Sequence, residues 1–138
     1  MARTVGIGIQ DFGKIIGNNC FYVDKTSFIK EWWESRDEVT LITRPRRFGK
    51  TLTMSMVEQF FSVKYAGRSD LFEGLSIWDD EYYRSVQGTY PVIFLSFAVV
   101  KEKNFRTASY RIRQLLMQLY EQNRFLLESP QLSEAEKE

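Results

Sequence analysis

Apolar residues in this chain fall into two kinds of stretch, short runs of strand length and longer segments with helical spacing. Residues 38–43 are rich in β-branched side chains (Val39, Thr40, Ile42, Thr43), and residues 90–97 form an almost wholly apolar run centred on Val92 and Phe97. Both predict buried parallel strands. Phe28, Ile29, Trp32 and Trp33 predict a helix capped by Asp24 and running to Glu34, while Leu52, Met56, Val57, Phe60 and Phe61 predict one over 50–62. Residues 104–127 repeat the helical pattern through Phe105, Ala108, Ile112, Leu115 and Leu119, stopped by Ser129-Pro130. One short turn is expected at 11–16 and short helices within the turn-rich segment 63–90. The expected fold class is therefore α/β, a parallel sheet flanked by helices, with 38–43 and 92–97 joined by a right-handed crossover through the 50–62 helix. Two strands are fewer than such a sheet needs, so the sheet is expected to be incomplete. Ser133-Glu134-Ala135-Glu136 is a capping-box signal, and residues 129–138 read as a tail or the start of a next helix.

The junction of the first strand with the second long helix carries the candidate chemistry. Arg44-Pro45-Arg46-Arg47-Phe48-Gly49-Lys50-Thr51 resembles a Walker A box, G-x-x-x-x-G-K-[ST], with Arg44 where the first glycine would stand. In such a loop consecutive amides and a helix N-terminus hold phosphate oxygens, the lysine reaches the outer phosphates and the hydroxyl completes a magnesium shell. Candidate phosphate contacts are the amides of Arg47, Phe48, Gly49, Lys50, Thr51 and Leu52 together with the Lys50 side chain, and Thr51 is the candidate metal ligand. Pro45 precedes these amides and costs no donor. Read on residues alone, the pattern also fits a strand, a turn and a helix bearing a surface lysine. Arg46 and Arg47 could steady phosphate charge, grip a nucleic-acid backbone, or be solvated.

Composition narrows the chemistry. The chain has 138 residues, no histidine and Cys20 as its one cysteine, which removes disulfides, Cys/His zinc sites and histidine-based catalysis. Phosphoryl transfer survives, because it rests on backbone donors, Lys, Arg and a metal ion. Net charge is +1, yet residues 1–70 carry 11 basic and 8 acidic side chains, with the excess gathered at Arg44, Arg46, Arg47 and Lys50. No apolar run approaches the roughly 20 residues of a membrane span, and no signal peptide is evident, so a soluble cytoplasmic protein is expected. Cys20 and the three tryptophans read as core or interface residues.

Tyr22-Val23-Asp24-Lys25-Thr26, the loop 44–51, Leu71-Phe72-Glu73-Gly74-Leu75 and Tyr90-Pro91-Val92-Ile93, in that order, resemble the AAA-ATPase-like domain family over about residues 5–128. Members are bacterial P-loop proteins often followed by a PD-(D/E)XK nuclease-type domain, and an arginine at position 44 is the family's own form of the loop. The resemblance implies binding of ATP and Mg2+, with Asp24 and Lys25 beside the nucleotide. It also implies that residues 1–138 are the N-terminal portion of one P-loop domain. Asp79-Asp80-Glu81 lies in the turn-rich segment, and 92–97 ends in Ser96-Phe97-Ala98, so neither supplies a Walker B acid and no catalytic residue is assigned. The expectation is an ATP-binding domain of an ATPase that does not turn over by itself and that pairs with the rest of its parent chain or with itself. The alternative is an interaction or nucleic-acid-binding module that keeps the loop without hydrolysis.

Overall fold

Helices are the only regular elements formed by residues 2–43 and 49–137, the residues described by this computed structural model. The loop residues Arg44, Pro45, Arg46, Arg47 and Phe48 lie outside that set. The chain divides into two units, Met1–Val92 and Ile93–Glu138.

The first unit is built around helix α3 (Lys50–Phe61), with α1 (Phe12–Gly17), α2 (Ser27–Ser35) and α4 (Glu81–Val86) around it. Met56 and Phe60, four residues apart on α3, are buried with Phe12 of α1, Ile29 of α2, Phe72, Ile77 and Tyr83. Phe72 stacks on Phe12 at 5.2 Å between centroids and meets the edge of Phe60 at 5.1 Å. The aromatic pairs bind α1 and α3 to the turn-rich segment. On its neighbouring face α3 uses polar groups. The Ser55 hydroxyl accepts the otherwise free Phe12 amide at 3.0 Å, and Gln59 donates to Asp11 at 3.2 Å, while Asp11 caps α1 by accepting the Lys14 amide. At the far end of α3 the amides of Gly88 and Tyr90 donate to the carbonyls of Phe60 and Phe61, and that of Val63 to Tyr90. A 3₁₀ turn at Ser76–Asp79 leads into α4, whose N-terminus Asp80 caps.

In the second unit, Asn104 caps α5 (Phe105–Gln122) by accepting the Thr107 amide at 3.0 Å. This helix ends before Leu127, the expected limit, because the Asn123 side chain turns back on the Leu119 carbonyl at 2.8 Å. One half of the capping box forms, the Glu136 amide going to the Ser133 carbonyl instead of its hydroxyl. Ser133 donates its amide and hydroxyl to Glu136 at 2.8 Å each, opening α6 (Glu134–Lys137).

The α/β expectation is overturned. Among the described residues no β-strand forms, and the only bridge is an isolated parallel one between Ser62 and Tyr90. Residues 38–43 and 92–97 are irregular, so neither the parallel pairing nor the right-handed crossover is present. A helix closes its own backbone hydrogen bonds, whereas a strand closes them only against a neighbour. Among the described residues neither segment has one, and Val39 and Leu41 stand 88% and 83% exposed, with Ile93 and Phe97 also open. The apolar runs express a demand for burial that these residues do not meet among themselves.

Candidate phosphate-binding site

Gly49 precedes α3 with φ +76° and ψ +23°, a left-handed conformation that glycine adopts without strain. Its carbonyl accepts the first helical bond, from Thr53 at 2.8 Å, and no side chain caps this end of α3 among the described residues. The first-turn amides, those of Lys50, Thr51 and Leu52 among them, are the ones a helix leaves without partners of its own, at the positive end of a 12-residue helix.

Beside this terminus lies a cavity of about 620 Å³. Lys25 lines it from just before α2, Phe28 from α2, residues 40–43 from the irregular segment, and Lys50 and Thr53 from α3. A Cβ at Gly49 would lie 3.7 Å from the Lys25 ammonium, so that lysine reaches the start of α3. Lys25 and Lys50 thus both line a cavity at this helix N-terminus, a combination that suits an anionic phosphate chain.

Of the residues expected at the site, Gly49, Lys50 and Lys25 are brought together. Leu52 is half-buried behind them, and Thr51 is exposed on the first turn, not in the cavity lining. Arg46, Arg47 and Phe48 lie outside the described residues. Asp24 is occupied elsewhere. One carboxylate oxygen accepts the Thr26 amide and hydroxyl at 2.9 and 2.6 Å, the other the Ser76 amide at 2.7 Å. Burial alone would raise its carboxyl, but the bonds from Thr26 and Ser76 outweigh that and hold it below the usual range. Phe28, Thr53 and the 40–43 lining were not expected from sequence. Thr53 could have been found, since it stands one turn on from Lys50.

Asp79 and Asp80 belong to the turn and cap ahead of α4, where Asp80 also pairs with Lys30 at 3.7 Å. Among the described residues no three acidic, cysteine or histidine side chains gather as a metal site, and no helix is long and apolar enough to cross a membrane.

The family model described as "Predicted AAA-ATPase" matches residues 6–137. The chain is also 36% identical over 116 residues to a protein of Azotobacter chroococcum mcd 1, described as an uncharacterized protein in the vnfD 5′ region. That match takes in 83% of this chain and 21% of the relative, so the chain spans about a fifth of that protein's length. No solved structure matches. With a family model covering nearly its whole length, the chain belongs to the AAA-ATPase-like family.

Proposed function

We propose that the N-terminus of α3 binds the phosphates of ATP. The observation that carries this reading is that Lys25 and Lys50 both line a cavity at a helix start opened by a left-handed Gly49 and capped by no described side chain. Membership of a family described as predicted AAA-ATPases supports it. In this reading the amides of Lys50, Thr51 and Leu52 hold phosphate oxygens, while the two ammonium groups neutralise the anionic chain and fix its direction. Phe28 and Ile42 give the neighbouring cavity an apolar wall.

The donor set fits magnesium arriving on the nucleotide. Such an ion is commonly held by phosphates and water with few protein ligands, and Thr51 is the hydroxyl available on the first turn. When bound it would supply charge neutralisation between phosphates. The protein's own share is binding and orientation.

Calorimetric titration of Mg-ATP into the 138-residue chain tests the reading. Lys50→Ala is expected to weaken binding at least tenfold, or about 1.4 kcal/mol. Equal affinity in the two proteins would refute the assignment.

A further inference from the structure

We propose that Asp24, Thr26 and the Ser76 amide form a positioning lock that holds Lys25 at the start of α3, coupling the phosphate site to the Ser76–Asp79 turn. The proposal rests on the nucleotide reading above and assigns Asp24 a duty other than contact with the ligand.

The lock is fully bonded. Thr26 is completely buried, and its hydroxyl donates to Asp24 at 2.6 Å while accepting the Ile77 amide at 3.2 Å. The second Asp24 oxygen takes the Ser76 amide, so the carboxylate bridges the entry to α2 and the first residue of the turn. Lys25 sits between these anchors and is tied by its own backbone as well. Its carbonyl accepts the Phe28 amide at 3.0 Å. Its amide donates to the Tyr22 hydroxyl at 3.4 Å, which itself donates to the Met56 sulfur of α3 at 3.4 Å. Lysine is a flexible point charge on a four-carbon stem, so fixing its backbone is how a fold limits where the charge can go. The Lys25 ammonium, 3.7 Å from where a Gly49 Cβ would be, is the end of that chain of constraints.

Charge alone makes the opposite prediction, which renders the proposal testable. Asp24 is an anion beside a site for anions, so by Coulomb's law its neutralisation should tighten ATP binding. As a lock its loss should weaken binding. Asp24→Asn keeps one acceptor for Thr26 but sets an amide donor against the Ser76 amide, opening the bridge. Ser76→Pro opens it without any change of charge. Leu75 before it is extended (φ −98°, ψ 156°), as a residue preceding proline requires, and a first helical position tolerates proline.

Each variant, with its folded state checked by circular dichroism, is titrated with Mg-ATP beside the wild type and Lys25→Ala. Asp24→Asn and Ser76→Pro are each expected to weaken ATP binding by about threefold to tenfold, the scale of one misplaced charge-assisted contact. Neither should weaken it further once Lys25 is alanine. Unchanged or tighter binding in Asp24→Asn, or losses that add in full to that of Lys25→Ala, would overturn the lock while leaving the site intact. A wild-type chain that binds no ATP, or a Lys50→Ala variant that binds it equally, overturns the nucleotide reading and the lock with it.

Discussion

At the scale of single residues, Asp24 shows how a motif residue can lie beside a site and face away from it. The segment Asp24-Lys25-Thr26 divides its labour: the lysine goes to the cavity, and the two flanking side chains bond to each other and to the Ser76–Asp79 turn. The pH dependence follows from the direction of the Asp24 shift. Its folded carboxyl titrates below its unfolded value of about 3.9, so the stabilisation is present above that value and is lost as pH falls through the folded one. Urea unfolding of wild type and Asp24→Asn should therefore show a stability gap that is full near pH 6 and narrows below about pH 4. A gap that stays constant across that range would contradict the bonding described. Sequence alone marks Asp24 as the cap of α2, where the structure has Thr26 at the cap position and Asp24 as the acceptor of its amide. It could not name Ser76, 52 residues on, as the second partner, because a bond from a side chain to a backbone amide leaves no trace in residue type.

Among elements, α3 is the organiser, and its C-terminal end depends on Gly88. That glycine has φ +70°, donates to the Phe60 carbonyl at 2.7 Å, and leaves a Cβ only 2.4 Å from the Ala66 Cα. Gly88→Ala combines left-handed strain with a backbone clash and is expected to cost at least about 2 kcal/mol. A thermal melt should show the midpoint lowered by roughly 4 °C or more, and an unchanged midpoint would show that the 88–90 segment does not brace α3. The helices were legible in sequence to within a few residues because their signals are local. Met56 and Phe60 share a face by spacing, and Asn104 caps by type. Val39 and Leu41 misled for the complementary reason. An apolar, β-branched run says that a segment would suit a sheet, but the sheet itself depends on partners that such a run cannot specify. Of the candidate site, the motifs put forward Gly49, Lys50 and Lys25, which the fold places near one another, whereas Phe28 and residues 40–43 line the same cavity only through the fold.

For the molecule as a whole, exposed apolar side chains and the bonding of Asp24 and Asp80 set the expected behaviour. Val39 and Leu41 in the first unit, and Tyr110, Met117 and Tyr120 along α5 in the second, leave large side chains in water. Sedimentation should show association rising with protein concentration, and a strictly monomeric chain at high concentration would argue that these side chains find cover within it. Both oxygens of the Asp24 carboxylate are engaged, and Asp80 is spent on α4 and Lys30, so neither is free to orient an attacking water. Phosphate release from ATP by this chain is expected to stay at background. Turnover abolished by Lys50→Ala would contradict that. The central claim, that phosphates dock on the start of α3 between Lys25 and Lys50, is tested most directly by following backbone amide resonances of the 15N-labelled chain as Mg-ATP is added. The largest shifts are expected at Gly49, Lys50, Thr51 and Leu52, with Lys25 moving in step and α4 still. Shifts that spare Gly49 to Leu52, or that cluster in another part of the chain, would contradict it.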